Sequence, residues 1–132
     1  MKPLKEALFS RRNLNVRKKD SLYFEDENDK SLNMIVVKTN YNTVFTINAN
    51  EINKGSVNVI VRNSSLSLIK NVLDRTWFDV ELLDAYDRSK KIFFDNDWLR
   101  TEKVILITIT TSKEEIKFRL SIEDVEELYD YL

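Results

Sequence analysis

Histidine and cysteine are both absent from this 132-residue chain, and glycine and proline occur once each. Without histidine, the chain lacks the commonest general base and the commonest metal ligand. Without cysteine, it can form neither a disulfide scaffold nor a thiolate zinc or iron–sulfur site. Phosphate-binding loops use several glycines for close backbone approach, which the single Gly55 cannot supply. We therefore expect a protein without a cofactor, and these absences argue against nucleotide-dependent and histidine-dependent enzymes.

Long hydrophobic runs are missing too. No stretch approaches the roughly 18 apolar residues of a membrane span, and "LKEALF" is too short and too charged to be a signal-peptide core. The net charge of -1 does not suggest a general nucleic-acid binder, and the 42% hydrophobic content argues against disorder throughout. A chain of this length predicts one domain. We expect no membrane contact and no secretion by a signal peptide.

What is present is a series of alternating apolar segments, typical of β-strands. About seven antiparallel strands are predicted, joined as consecutive hairpins. They are "NMIVVKT", "TVFTIN", "VNVIVR", "TWFDVELL", "KKIFFD", "KVILITIT" and "EEIKFRLS". The most apolar of them, "KVILITIT", should be a central strand, whereas "FEDENDKS" at 24–31 is predicted to be an acidic loop.

Helical spacing occurs in three places. Residues 3–10 predict a short helix after Pro3, which suits a first helical turn. The segment "SSLSLIKNVLDR" predicts a mid-chain helix capped by Ser64 or Ser65, and "SIEDVEELYDYL" predicts a final helix with Ser121 at its cap. The predicted fold class is therefore α+β, either one bent sheet or a small sandwich, with a mid-chain helix and terminal helices. We find no internal repeat in the sequence.

An enzyme built from these residues would have to rely on carboxylates. Asp95 and Asp97 could bind a divalent cation, and "DENDK" at 26–30 resembles the start of a calcium loop, but Lys30 occupies a ligand position there. Solvated turns, in which Asp and Asn supply local hydrogen bonds, are the interpretation that we favour for both stretches. Glu81, Asp84, Asp87 and Asp95 lie on or near one predicted hairpin and are expected on its solvent face. We expect no metal site and assign no catalytic residue.

Trp77 is the aromatic residue that does not fit the core pattern. In the predicted strand, Phe78 lies on the buried face with Val80 and Leu82, whereas Trp77 shares the other face with Asp79 and Glu81. An exposed tryptophan on a sheet is a candidate contact residue. The alternative is that the mid-chain helix covers it.

Charge is segregated at the two ends of the chain. Residues 1–20 carry seven bases and two acids, and residues 121–132 carry five acids and no base. The basic segment lacks the interleaved aromatics that stack on nucleic-acid bases, so nucleic acid is not expected to be its main partner. Its candidate partner-binding residues are Leu4, Leu8, Arg11, Arg12, Arg17, Lys18 and Lys19. The acidic end either is a solvated face or is stabilised by a basic neighbour, which could be this leader, a second copy or another protein.

The leader sequence "LKEALFSRRNL" resembles amino-terminal segments of small proteins of tailed bacteriophages, notably of the crAss-like group. It is also similar to the capsid-targeting leaders of phage internal head proteins. Those cleavable leaders usually place a glutamate before the cut, where this sequence has "SRRN" and only Glu6 nearby. The resemblance implies a phage accessory or virion component and implies no catalytic residues.

Together these patterns predict a basic docking leader over residues 1–20 and a single α+β domain over residues 21–132. The function expected is a non-enzymatic protein–protein interaction module, in the host-cell cytoplasm or the virion, which binds another protein or itself. A carboxylate and divalent-metal enzyme is one alternative. A small nucleic-acid-binding or host-inhibiting phage protein is the other.

Overall fold

Eight strands and two α-helices form in the residues that the computed structural model describes, which are 20–49, 55–96 and 104–132. The first half contains β1 (Leu22–Glu25), β2 (Leu32–Lys38), β3 (Asn42–Ala49), β4 (Ser56–Arg62), a 3-10 turn (Asn63–Ser65) and α1 (Leu66–Leu73). The second half contains β5 (Asp79–Leu83), β6 (Lys91–Asp95), β7 (Val104–Thr110), β8 (Glu115–Ser121) and α2 (Ile122–Tyr131). The α+β class is confirmed, with the predicted mid-chain and final helices. The predicted helix at 3–10 lies outside the described residues.

The strands form two separate four-stranded sheets, each paired antiparallel in chain order. Eight strands replace the predicted seven because β1 occupies a segment that carried no strand prediction. Leu22 and Phe24 are buried there and alternate with exposed Tyr23 and Glu25. Four residues give too little alternation to be recognised beside an acidic run. Of the two predicted arrangements, the pair of sheets corresponds to the sandwich and not to one bent sheet.

The core lies between the inner faces of the two sheets. In the first sheet Val36 pairs with Phe45, and in the second Phe94 pairs with Ile107. The rings of Phe45 and Phe94 make an edge-to-face contact with centroids 5.5 Å apart, which joins the sheets. One continuous cluster of buried apolar side chains includes residues of both sheets and both helices. The two halves therefore share a core.

Both helices bury one apolar face, but they begin differently. Ser121 caps α2, since its Oγ accepts a hydrogen bond from the backbone N–H of Asp124 at 3.3 Å, as the sequence predicts. Ser65 precedes α1 without a side-chain capping bond, which contradicts the predicted cap. The reason is the 3-10 turn before it, which already places Ser65 in a helical conformation. Within the described residues, neither helix has the length and apolar character required to cross a membrane.

Although the sequence showed no repeat, the two halves repeat the same order of four strands and a helix. The repeat is visible in the first turn of each half, "DENDKS" at 26–31 and "DAYDRS" at 84–89. Asp26 Oδ1 accepts hydrogen bonds from the backbone N–H groups two and three residues later at 2.8 and 2.9 Å. Asp84 Oδ1 does the same at 2.8 and 3.0 Å. No repeat was recognisable in the sequence, because only three of the six turn positions carry the same residue in both halves.

The two turns also bind each other's sheet. Asp26 Oδ2 accepts a hydrogen bond from the N–H of Arg119 in β8 at 2.6 Å, and Glu27 N–H donates to the Arg119 carbonyl at 3.0 Å. Asp84 Oδ2 accepts from the N–H of Ile60 in β4 at 2.8 Å, and the next residue donates to the Ile60 carbonyl at 2.8 Å. Each turn thus satisfies backbone groups on the outer edge of the last strand of the other sheet.

Candidate interaction surfaces

The partner-binding residues predicted in the leader all lie outside the described residues. They are Leu4, Leu8, Arg11, Arg12, Arg17, Lys18 and Lys19. Trp77 is described, and it lies in the segment between α1 and β5 and not within a strand. The structure therefore bears directly on one of the eight predicted contact residues.

The backbone before Trp77 is held in a defined turn. The carbonyl of Asn71 accepts hydrogen bonds from the N–H groups of Thr76 and Trp77 at 3.0 and 3.1 Å. Arg75 adopts a left-handed conformation with φ of 68°, which costs a side chain with a Cβ about 1–2 kcal/mol. A non-glycine residue is retained in that conformation only where the surrounding contacts impose it. The turn presents Trp77 in a fixed position.

Trp77 and Phe78 are both exposed, by 44% and 71%. The alternative in which the mid-chain helix covers Trp77 is therefore not observed. The prediction for Phe78 was wrong, because β5 begins only at Asp79 and the alternation of the strand does not extend back to Phe78. Val80 and Leu82 do face inward, as predicted, and pack against the core. Two adjacent exposed aromatic rings result where one was expected.

A second group of exposed aromatics was missed by sequence reasoning. Tyr41 is 82% exposed and Tyr86 68%. The hydroxyl of Tyr86 accepts a hydrogen bond from Asn42 Nδ2 at 3.1 Å, and the Arg62 guanidinium lies 5.6 Å from the Tyr86 ring centroid. We call these four residues the tyrosine patch. The exposure of the two tyrosines could have been predicted from the sequence, because both lie in predicted turns, where little apolar surface can be buried.

The acidic segments are structural turns in the described residues. Asp84 is buried and bonded to backbone N–H groups, contrary to the predicted solvent exposure. Asp95 is also buried, at the end of β6, while Asp97 lies outside the described residues. Asp87 is exposed, and hydrogen bonds from the side chain and backbone of Ser89 lower the pKa of its carboxyl. Across the described ranges, no three acidic residues come together as a metal site would require.

A groove of about 610 Å³ with a mixed polar and apolar lining lies where α2 ends against the first half. Two lysines line it. Lys38 Nζ donates a hydrogen bond to the carbonyl of Leu132, and Lys70 Nζ lies 4.6 Å from the Tyr129 ring centroid. Positive charge at the carboxyl end of a helix stabilises it through the helix dipole. The acidic helix therefore receives basic neighbours from the body of the protein at that end.

The comparisons with known proteins bear on the fold. No protein-family model matches this chain, and no curated protein matches its sequence. The chain is similar to a solved structure described as crystal structures of Trypanosoma brucei MRP1/MRP2, with a TM-score of 0.60 and 13% sequence identity. The similarity covers 84% of this chain and 78% of that one. At this identity the likeness shows a shared fold alone.

Proposed function

We propose that this protein is a non-enzymatic protein–protein interaction module that docks through its basic leader and through Trp77. The observation that carries the proposal is the adjacent pair of exposed rings, Trp77 and Phe78, on a turn fixed by backbone hydrogen bonds. Large aromatic side chains contribute much of the binding energy at interfaces. Because the turn is already ordered, little conformational entropy is lost when a partner covers it.

The resemblance of the leader to phage segments supports a phage accessory or virion-associated role. Such a protein acts in the host-cell cytoplasm or in the particle. Its partner is another phage or host protein, or a second copy of this chain. The basic leader favours an acidic surface on that partner.

The test is affinity capture with the full-length protein immobilised, from a lysate of the cells in which it is naturally made. Trp77→Ser, Phe78→Ser and a leader variant with Gln at Arg11, Arg12, Arg17, Lys18 and Lys19 are compared with the wild type. We expect the wild type to retain at least one protein. Each variant should bind that protein about tenfold or more weakly, which is the loss of affinity typical of a contact residue.

Tyr23→Ser is the matched control, because Tyr23 is 57% exposed and lies on β1 in the other sheet. The control should retain the same protein as the wild type. An identical set of retained proteins with every variant would contradict the proposal. Circular dichroism of each variant establishes that the fold is intact.

The tyrosine patch favours a second candidate function, binding of single-stranded nucleic acid. Exposed rings stack on bases, and an adjacent arginine contacts phosphate or stacks in turn. Fluorescence anisotropy with a labelled mixed-sequence oligonucleotide of about 20 nucleotides tests it. Tyr86→Ala and Arg62→Gln should each weaken binding while Trp77→Ser does not. The absence of binding at low salt would eliminate this candidate.

A further inference from the structure

Helix α2 presents four exposed carboxylates along the face turned away from the core. They are Glu123, Glu126, Glu127 and Asp130, and we call them the acidic face. Their spacing of three, four and seven residues places them in one row, where like charges repel. Asp130 also lies near the carboxyl end of the helix, where the dipole disfavours negative charge. Lys38 and Lys70 lie at the carboxyl end of α2, but the row of carboxylates also covers its earlier turns, where a positively charged segment beside the acidic face is favoured.

A groove of about 350 Å³ runs beside the acidic face, between the end of α1 and α2. Leu73, Ile122, Val125 and Tyr129 provide its apolar lining, and Asp74, Arg75 and Glu126 its charged lining. Ile122 is 38% exposed there, so apolar surface remains accessible. An apolar groove with carboxylates beside it is complementary to a segment that carries both apolar and basic side chains.

The described chain begins at the other end of α2. The hydroxyl of Tyr131, the last residue of the helix, donates a hydrogen bond to the carbonyl of Asp20 at 3.0 Å. The same hydroxyl accepts a hydrogen bond from the N–H of Lys38 at 3.1 Å. Residues 1–19 are thus attached to the body beside the carboxyl end of the acidic helix, at Asp20, whose carbonyl is bonded to Tyr131.

The length of the leader is sufficient to reach both features. Helix α2 has 10 residues, which corresponds to about 15 Å. Residues 11–19 alone span up to about 30 Å when extended. Because the leader is covalently tethered beside α2, its docking would be an intramolecular step with a high effective concentration. Weak individual contacts are enough at that concentration.

We propose that the leader docks on its own helix α2, with Leu4 and Leu8 in the groove and the basic residues along the acidic face. Residues 1–19 contain seven bases and the single acid Glu6, which is opposite in sign to the acidic face. This inference rests on the proposed function only in treating the leader as a docking segment. A partner must then displace the leader from α2 before the two can bind, so the docked form is a resting state.

The first test asks whether the effect of a pair of substitutions on the melting temperature of the full chain changes sign when the leader loses its charge. In the wild type, Glu126→Gln with Asp130→Asn removes attraction to the leader and should lower Tm by on the order of 1–3 °C. When Arg11, Arg12, Arg17, Lys18 and Lys19 are replaced by Gln, the same pair of substitutions relieves repulsion and should raise Tm. At about 1 M salt both effects should shrink, because charges are screened beyond about 3 Å.

Glu114→Gln with Glu115→Gln is the matched control, since both residues are exposed in the hairpin between β7 and β8. It changes the net charge equally and should shift Tm by the same amount in both leader backgrounds. Equal shifts in the two backgrounds for the α2 pair as well would overturn the proposal. That result would leave the capture assay with Trp77→Ser unaffected, so the two proposals fail separately.

A second measurement locates the leader directly. The chain has no cysteine, so Ser10→Cys accepts a single nitroxide label ten residues away from the attachment point at Asp20. We expect its relaxation effect to weaken the NMR amide signals of Val125 and Glu126 beside the groove while those of Glu114 keep their intensity. Mixing labelled and isotope-enriched copies distinguishes the occupants. If the signals weaken only when the label is on one copy and the isotope on another, the leader of a second copy occupies the acidic face, and docking within one chain is overturned. Unchanged signal intensities along α2 would overturn it as well.

Discussion

The equivalent turns in the two halves of the protein share the residues that bind the opposite sheet and differ in the residues that project into solvent. Asp26 and Asp84 occupy equivalent places and make equivalent hydrogen bonds to β8 and β4. Two residues further along, the first turn has Asn28 and the second has the exposed Tyr86. The bonded positions are restricted by geometry, whereas the projecting ones are free to acquire a binding role.

The helices of the two halves differ in their caps and in the charges at their ends. Helix α2 has a capping bond from Ser121 and the acids Glu123 and Asp124 in its first turn. Helix α1 has neither a side-chain capping bond nor an acid there, and instead carries Lys70 in its last turn. The same architecture thus places acids in the first turn of one helix and a base in the last turn of the other.

The largest expected effect is on the core that the halves share. Ile107 is fully buried on β7, an interior strand of the second sheet. Ile107→Ala should destabilise the protein by roughly 2–5 kcal/mol, through lost burial and a cavity. Chemical denaturation measures this, with Ile35→Ala on the outer, half-buried face of β2 as the smaller control. A cost below about 1 kcal/mol would show that β7 is not central.

Removing either buried turn aspartate should come next. Asp84→Ala leaves the N–H of Ile60 without its bond, and Asp26→Ala does the same for Arg119. Each should cost about 2–3 kcal/mol, because hydrogen bonds to a charged acceptor are lost at partly buried backbone groups. Unfolding of both variants in parallel shows whether the halves are equivalent.

Asp74→Ala is the control for the turn aspartates, since Asp74 is exposed and its carboxylate accepts hydrogen bonds from Thr76 within its own turn. It should cost less than about 1 kcal/mol. If Asp84→Ala and Asp26→Ala cost no more than this control, the crossed turns do not hold the halves together.

The helix caps should show a smaller difference between the halves. Ser121→Ala removes the bond to the N–H of Asp124 and should cost about 1 kcal/mol. Ser65→Ala removes no side-chain capping bond and should be close to neutral. Thermal unfolding of the two variants measures this difference. Equal costs for the two variants would contradict it.

The smallest expected effect concerns the acid dependence of the second turn. Ser89 donates side-chain and backbone hydrogen bonds to Asp87 and lowers the pKa of that carboxyl below its ordinary value of 3.8. A pKa lowered in the folded state adds stability above the unfolded pKa, and that stability is lost as the pH falls through the folded pKa. Ser89→Ala should therefore raise the Asp87 pKa in an NMR titration.

Ser31→Ala removes the equivalent hydroxyl from the first turn and should leave the titration of Asp87 unchanged. The destabilisation caused by Ser89→Ala should also be smaller in acid than at neutral pH. A destabilisation that grew as the pH fell would be inconsistent with the lowered pKa.

The sequence by itself determined the class of the fold and most of its elements. The alternation of Val57, Val59 and Val61 predicts a strand with one buried face, and all three are buried. The capping pattern at Ser121 predicts the start of α2. These features could be predicted because they depend on neighbours within one strand or one helical turn, where the spacing of side chains follows backbone geometry.

The tertiary structure alone decided which residues are structural and which are exposed. Asp26 and Arg119 are 93 positions apart, and no local pattern indicates that the turn of one sheet binds the edge of the other. Asp84 resembled a solvated turn residue and is buried for the same reason. Phe78 had the pattern of a core residue and is exposed because the strand begins after it. Burial depends on what packs from elsewhere in the chain, and that information is not present in a segment's own periodicity.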